Sequence, residues 1–378
     1  MMASYLLLTL LVTPISFNLG TTLPIDANPT ASSPFAPSLD VAISPNFTTK
    51  INTLAIDMGV VDYTVVNSPE SFDGYTLFNL YDSNGLDNDL IIMDMDGNIV
   101  AQKDIGNCPG WYCPAEFIDP NTILTGSEWG AALWHLGNDT LQPLGIGSHH
   151  EYEYNPNNNT LFTFAYNVFE IDGIGYKFDF IREYSMNGTL LWELDTHDFV
   201  SEEWWCPSGD MMGTNRDITH SNSLFYDAEE DMIYYNARNP NTFFKIDHST
   251  GNVLWGLGEY GNFTMYDIRG NPTDHLFFHA HSVEKVDETT FILFDNDYHN
   301  QTKPSSRRSR ILEIEANETS MTANASWVYT APTAYYSAGW SDADRLPNGN
   351  RIGDFGYPSA ATSGFSAAFV EVNPEGEI

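Results

Sequence analysis

Short apolar runs separated by clusters of Asp, Asn and Gly repeat along this chain, and the clearest copy covers 215–261. In that copy the pattern predicts four strands, Ile218–Tyr226, Met232–Ala237, Phe243–Asp247 and Val253–Leu257. Apolar runs bounded by turn-forming residues are typical of antiparallel strands. Four such strands that end in a Gly turn and a Trp indicate one blade of a β-propeller.

The same pattern recurs on both sides of this copy. Upstream copies cover 113–137 and 148–195, and downstream copies cover 279–330 and begin again at 340. The complete copies carry a Trp near the end: Trp134, Trp192, Trp255 and Trp327. Most repeats exceed the usual propeller period of about 40–50 residues, which implies inserted loops, the clearest at Thr196–Arg216. We therefore predict an all-β fold, a six-bladed β-propeller with blades near 51–106, 107–147, 148–213, 214–268, 269–335 and 336–378.

The last predicted blade has three strands and no Trp strand after them. Two interpretations are open. Either the N-terminal region around 51–66 supplies the closing strand, or the sequence is truncated at its C-terminal end.

Charge narrows the possible partners. The chain has 15 Lys and Arg against 51 Asp and Glu, a formal net charge of −36. Such a surface excludes general nucleic-acid binding and disfavours anionic membranes. It suits a soluble protein in a salty or extracellular medium, and an anionic ligand would need a local group of the few basic residues. The pattern predicts no particular oligomeric state.

The N-terminal part divides into two segments before the propeller. Residues 1–20 contain an apolar run and predict a signal peptide or N-terminal anchor, with a buried first strand as the alternative. Residues 21–48, rich in Pro, Ser and Thr, predict an exposed linker. The propeller domain then covers 49–378. Any membrane association would run through the N-terminal anchor, and the expected location is extracellular, the cell surface or a periplasm-like space.

Sequons and cysteines also favour export. Asn-x-Ser/Thr glycosylation sequons fall at Asn46, Asn138, Asn158, Asn187, Asn262, Asn300, Asn317 and Asn324. Cys108 and Cys113 flank a short turn and could form a local disulfide in an oxidising compartment. A bond between Cys113 and Cys206 is the rival pairing.

The candidate chemistry lies in the predicted channel. The innermost strand of each blade lines this channel, so equivalent side chains of successive blades converge. His150, His220 and His281, with Asp342 and Asp344, occupy equivalent positions. Such imidazoles either bind a metal or serve as nucleophile, base and anion donors. We favour the second use and expect no metal.

Arginine supports an anionic ligand. Arg238 follows the second strand of the clearest copy, and Arg310 ends a cluster with Arg307 and Arg308. Guanidinium groups suit the oxygens of sulfate or phosphate. Arg238 and Arg310 are therefore candidate ligand-binding residues.

At this point the residues resemble a known family. DITHSNSLFYD, NARNPNTFFKIDHSTGNVLWGLG, FFHAHSVEKV, FILFDND, SRILEIE and RLPNGN, in that order, are similar to segments of the arylsulfotransferase family. The resemblance spans about 145–378. It implies an exported six-bladed propeller that moves a sulfuryl group from an aryl sulfate to a phenol through a sulfated His. It also implies that no PAPS or other cofactor is needed.

The resemblance assigns residues by motif. His220 in THSNS and His281 in AHS match family histidines, and Arg238 matches a family Arg that is followed by His, where this chain has Asn239. The pair His149 and His150 resembles a His pair of many relatives. These residues, with Arg310, Asp342 and Asp344, form the predicted catalytic and substrate-binding set. His220 or His281 would attack sulfur while the other His and an Arg stabilise charge.

The chain departs from the family after FDND, where Tyr298 and His299 replace an expected Arg, and at 341–344, where no His stands. Aromatic residues of loops could stack on aryl rings: Trp204, Trp205, Tyr298, Tyr335 and Tyr336. Two rival functions stay open. One is a quinone-dependent propeller, suggested by KIDHSTGNVLW at 245–255. The other is a non-catalytic extracellular propeller that binds a ligand, glycan or partner.

Overall fold

A computed structural model describes residues 12–16, 48–56, 59–81, 88–108, 113–207, 209, 211–212, 214–298, 307–356 and 367–378. Most of the predicted signal segment, nearly all of the predicted linker, His299, and the sequons at Asn46 and Asn300 lie outside these residues. Within the described residues no helix is long and apolar enough to cross a membrane.

The fold is a six-bladed β-propeller, as the sequence predicts, preceded by a small N-terminal sheet. That sheet contains β1 (Val12–Ser16), β2 (Thr48–Ile56) and β3 (Gly59–Asn67). Blade one contains β4 (Tyr75–Tyr81), β5 (Asn88–Asp94) and β6 (Ile99–Asp104). Blade two contains β7 (Ala115–Asp119), β8 (Thr122–Thr125), β9 (Ala132–His135) and β10 (Thr140–Pro143). Blade three contains β11 (Tyr152–Asn155), β12 (Thr160–Ile171), β13 (Ile174–Ser185) and β14 (Leu190–Asp195), followed by β15 (Met211–Met212) and β16 (Asn215–Asp217).

The second half repeats this plan. Blade four contains β17 (Ser221–Asp227), β18 (Met232–Ala237), β19 (Thr242–Asp247) and β20 (Asn252–Gly258). The short strands β21 (Thr264–Tyr266) and β22 (Pro272–Thr273) precede blade five, which contains β23 (His281–Lys285), β24 (Thr290–Asp295), β25 (Arg310–Asn317) and β26 (Thr322–Thr330). Blade six contains β27 (Ser341–Arg345), β28 (Arg351–Phe355) and β29 (Ala368–Val372). Short 3₁₀ turns cover Thr196–Asp198, Glu202–Trp204 and Thr333–Tyr335.

Each blade is an antiparallel meander in chain order. The inserted segments predicted from the long repeats add strands in the other sense, because β16 pairs in parallel with β13 and β21 pairs in parallel with β26. They extend blades three and five without interrupting the meander.

The core lies between neighbouring blades. Trp255 of β20 sits in one cluster with Phe243 of its own blade and Phe291 of blade five, with ring centroids 5.8 and 5.9 Å apart. Burying a large apolar side chain stabilises a fold by about 1.5–3 kcal/mol, so the repeated Trp contributes to blade-to-blade packing. Trp134 is equally buried, but it lies on the third strand of its blade and not the last.

The N-terminal sheet packs against the last blade. Val66 belongs to a cluster with Ala368, Val370 and Val372, and β1 lies beside β29. Blade six itself pairs only three described strands. The N-terminal region around 51–66 therefore covers blade six, as one of the two interpretations expected, but as a sheet of its own.

The first strand of blade four begins later than predicted, and this shift matters for the site. β17 starts at Ser221, not at 218, because His220 adopts a left-handed φ of 43°. Carboxylates hold this turn, since Asp179 accepts from Ser221 N at 2.8 Å and Asp217 accepts from His220 N at 3.2 Å. His220 therefore sits at the entrance of the strand rather than in its middle.

Candidate active site

Three predicted channel histidines meet where the innermost strands begin. His150 precedes β11, His220 precedes β17, and His281 is the first residue of β23. The rings of His150 and His220 are 4.9 Å apart, and an Nδ1–Nδ1 hydrogen bond of 2.8 Å joins His149 to His150. Burial, then the neighbouring His220 and His149, lower the pKa of His150 well below its ordinary value. The structure thus brings together His149, His150, His220 and His281.

A buried network of alternating charge lies behind two of these histidines. Asp217 Oδ2 is 2.9 Å from His220 Nδ1 and 3.2 Å from Lys177 Nζ. Asp179 Oδ1 is 3.4 Å from the same ammonium and 3.1 Å from His149 Nε2. Burial alone would raise the pKa of Asp179, but Lys177 and His149 outweigh it and hold that pKa well below its usual range. Both carboxylates are therefore ionised and orient the two rings.

His281 has a different environment. Its Nδ1 lies 2.7 Å from Oδ1 of Asn296, a neutral amide. Burial, and next the guanidinium of Arg238, lower the pKa of the imidazole to about 3. His281 is thus a neutral imidazole at physiological pH, and a neutral imidazole can act as a nucleophile.

Arg238 completes the cationic side of the site. It is buried, one Nη donates to Oδ1 of Asn239 at 3.1 Å, and its guanidinium stands 5.6 Å from the ring of Tyr298. Arg307 lies 5.5 Å from the same ring. Tyr298, which stands where the family has Arg, is therefore flanked by two guanidinium groups.

The structure separates Asp342 and Asp344 from this cationic group. With Glu284 they offer carboxylate oxygens that all lie within 4.8 Å of one another, as the ligands of a hard cation would. Burial raises the pKa of neighbouring Glu116 to about 8. Burial and Asp342 likewise raise the pKa of Asp344. An anionic sulfuryl group is repelled by such a cluster, so these residues do not suit the anion-binding role that sequence reasoning gave them.

Arg310 also differs from expectation. It lies at the start of the third strand of blade five, where its Nε donates to Asp295 at 2.7 Å and its Nη2 donates to the carbonyl of Leu276 at 2.7 Å. The guanidinium holds neighbouring segments of blade five together. This arrangement favours a structural role over the predicted substrate-binding role.

Most of the loop aromatics pack against the protein. Trp204 stacks on Tyr260 with ring centroids 4.7 Å apart, and Trp205 covers the guanidinium of Arg216 at 4.3 Å. Tyr335 is buried against Phe355. Of the predicted stacking residues, Tyr298 lies closest in character to a site residue, because both arginines flank it.

The cysteines resolve the two pairings considered. Cys108 and Cys113 are bonded to each other. Cys206 is a buried thiol whose Sγ lies 3.5 Å from Nε2 of His279, a second buried histidine of blade five.

Sequence reasoning missed the residues that orient the imidazoles. Asp217 stands three positions before His220 and Asn296 lies in the FDND segment, so both had a local signal. Lys177 and Asp179 come from β13 and had none, because only the tertiary fold places them about 40 residues from their partners.

Comparisons with known proteins agree with the fold and the motifs. A protein of unknown function from Bacteroides caccae has 14% identity, with 77% of this chain and 88% of that chain covered and a TM-score of 0.45. An auxiliary nutrient binding protein from Bacteroides ovatus has 14% identity, 62% and 54% coverage and a TM-score of 0.33. Likenesses at this level carry no argument about function. A search among curated proteins found no significant match.

The family comparison is more specific. The model of the family described as Arylsulfotransferase (ASST) matches residues 34–377, which include all six blades and every histidine of the site. The chain therefore belongs to the arylsulfotransferase family.

Proposed function

We propose that this protein transfers a sulfuryl group from an aryl sulfate to a phenol through a histidine intermediate, without a nucleotide donor. The carrying observation is that His281, a neutral imidazole, shares one end of the channel with His220 and the buried Arg238. A nucleophile, a proton carrier and an anion-binding cation are the groups that sulfuryl transfer needs.

Each group has a distinct task. Arg238 offers a buried positive charge to the sulfuryl oxygens, and interactions of this kind are stronger in a water-poor site. The imidazoles of His150 and His220 lie beside it and can donate to or accept from the aryl oxygen. Tyr298 offers an aromatic face between Arg238 and Arg307 for the aryl ring.

The test is an assay of purified protein with p-nitrophenyl sulfate, with and without phenol and without nucleotide. We expect phenol-dependent release of nitrophenolate that falls by about 10²–10⁴-fold in His281→Ala, because the attacking group is lost. His135→Ala, on β9 of blade two, is a matched control that should keep full activity. Absence of release from folded parent protein would favour the non-catalytic ligand-binding propeller instead.

We also propose that the protein is exported and glycosylated, with residues 1–20 as the signal segment. The six sequon asparagines among the described residues are all exposed, at Asn138, Asn158, Asn187, Asn262, Asn317 and Asn324. An exposed Asn is accessible to glycan transfer. Expression in a glycosylating secretory host should yield protein in the medium whose electrophoretic mobility increases after removal of N-glycans. Intracellular, unmodified protein would contradict this proposal.

A further inference from the structure

We propose that His281 is the residue that carries the sulfuryl group, that Asn296 is the positioning residue that fixes its tautomer, and that the His220–Asp217 pair moves the proton. This inference rests on the proposed function and assigns roles within the same site. It follows from the different partners that the two imidazoles have.

The orientation of the Asn296 amide can be derived from its surroundings. Its Nδ2 lies 3.0 Å from the carbonyl oxygen of Ser337 and 3.4 Å from Oγ of Ser341. A carbonyl oxygen can only accept, so the amide nitrogen must face Ser337. The amide oxygen therefore faces His281 Nδ1 at 2.7 Å and requires a proton on that nitrogen. The lone pair of the neutral ring is then on Nε2, the nitrogen that Asn296 does not contact.

The surrounding residues keep this amide rigid. Asn296 is fully buried, as are Ser309 and Ser337. Ser309 Oγ accepts from Ser337 N at 2.8 Å, and Ser341 Oγ donates to Ser337 Oγ at 2.9 Å. These bonds connect blade five to blade six around the amide. A flip of Asn296 would place its Nδ2 against His281 and its oxygen against the Ser337 carbonyl, which would leave two acceptors facing each other.

The first strand of blade five is positioned from the other side as well. Asn222 and Asn236 of blade four donate to the carbonyl of Ala280 at 2.9 and 2.8 Å. The residue before His281 is thus fixed to blade four while its ring is fixed to blade six through Asn296. The imidazole is therefore held between three blades, which favours one orientation of Nε2.

His220 has a partner of the opposite kind. Asp217 is a carboxylate, 2.9 Å from Nδ1, and it shares its charge with Lys177 at 3.2 Å. A carboxylate stabilises the imidazolium, whereas a neutral amide such as Asn296 adds no negative charge. His220 is therefore suited to gain and lose a proton, and His281 is suited to stay neutral and attack.

The two half-reactions balance. Nε2 of His281 donates its lone pair to sulfur, and the bond from sulfur to the aryl oxygen breaks with its electron pair going to that oxygen. Protonated His220 gives its proton to the phenolate, and the sulfated imidazole keeps the Nδ1 proton on Asn296. In the second half, the acceptor phenol gives its proton to His220 and attacks sulfur, and the nitrogen–sulfur bond breaks with its pair returning to Nε2.

The first experiment locates the group. Parent protein is mixed with p-nitrophenyl sulfate without acceptor, quenched in alkali and digested, and the peptides are searched for the mass of one added SO₃. We expect it on His281 in the parent and in His220→Ala, and on no residue in His281→Ala. Label on His220 in the parent would overturn the assignment.

The second experiment tests Asn296. In Asn296→Ala we expect a fall in kcat of about 10–100-fold with KM little changed, which is typical of losing a group that orients a reactive ligand. Asn296→Asp should recover part of the rate, because a carboxylate still accepts from Nδ1, and should shift the acid limb of the pH–rate profile upward. Asn350→Ala, a buried amide at the opposite end of the first strand of blade six, is the control. Equal rates and profiles in Asn296→Ala and Asn350→Ala would overturn the role of Asn296.

A third measurement does not need activity. Two-dimensional ¹⁵N spectra of the histidine rings should show His281 neutral with its proton on Nδ1 in the parent, and a change of tautomer in Asn296→Ala. A proton on Nε2 in the parent would overturn this inference whatever the assay shows. Protein that shows the Nδ1 tautomer but releases no nitrophenolate would instead refute the proposed function and, with it, the sulfated His281.

Discussion

Replacing Arg351 by methionine is expected to lower the free energy of unfolding by about 3–5 kcal/mol, because it leaves the carboxylate of Glu313 buried without its partner. The side chains of Arg351 and Glu313 are only 6% and 4% exposed, and two parallel bonds of 2.8 and 2.6 Å join them. Arg351 also donates to the carbonyl of Gly349 at 2.8 Å and lies 4.5 Å from the ring of Trp327. The pair therefore connects blade five to blade six.

Urea unfolding followed by tryptophan fluorescence measures this effect. Lys103→Met is the control, since its salt bridge with Asp139 is exposed on the Asp side and such pairs contribute about 0–1 kcal/mol. The double variant Arg351→Met with Glu313→Leu should recover much of the loss, because no charge remains buried. A loss below about 1 kcal/mol in Arg351→Met would show that Arg345, 3.5 Å from Glu313, compensates for the missing charge.

Replacing Asp344 by asparagine is expected to stabilise the folded protein at neutral pH by on the order of 1–3 kcal/mol, since each unit of pKa corresponds to about 1.4 kcal/mol. Burial and the charge of Asp342 raise the pKa of Asp344 well above its ordinary value. Burial and the charge of Asp344 do the same for Glu284. The asparagine removes one of these charges and keeps the shape of the side chain.

The dependence on pH has a definite sign. A carboxyl whose pKa is higher in the folded than in the unfolded protein loses stability as the pH rises through that interval. The stability difference between Asp344→Asn and the parent should therefore be largest near pH 8 and should shrink as the pH falls toward 5. Buried neutral His150 and His281 act in the opposite sense below about pH 6.5, but they are common to both proteins and cancel in the difference. Thermal melts at a series of pH values measure it, with exposed Glu288→Gln as the control, and a difference that grows on acidification would contradict the prediction.

The architecture could be predicted because each blade repeats the same local information. Alternating apolar runs and Asn, Asp and Gly turns specify strands and hairpins within a few residues of one another, and these predictions agree with the observed blades. Boundaries were less certain. The strand predicted over Ile218–Tyr226 begins at Ser221, because carboxylates from distant segments hold the turn at His220. The pattern also could not show that the N-terminal sheet covers blade six without joining it.

The site was predictable in its histidines and not in their surroundings. His150, His220 and His281 shared a position in the repeat, and repeats of a propeller converge on its axis. Arg310, Asp342 and Asp344 shared similar positions or charges, yet Arg310 is engaged by Asp295 and the aspartates join a carboxylate cluster. Sequence spacing places a residue on a blade, but it does not tell which way the side chain is paired.

The sequence by itself determined the all-β class, the six repeats, the family and the three imidazoles, since each is encoded in local spacing or in a motif. Only the tertiary structure decided how the imidazoles differ. Asp217 reaches His220 from a neighbouring turn, Lys177 from another blade, and Asn296 reaches His281 from the next strand. The charge and tautomer of an imidazole depend on what lies within about 3 Å of its nitrogens. Those neighbours are set by blade packing and not by position in the chain.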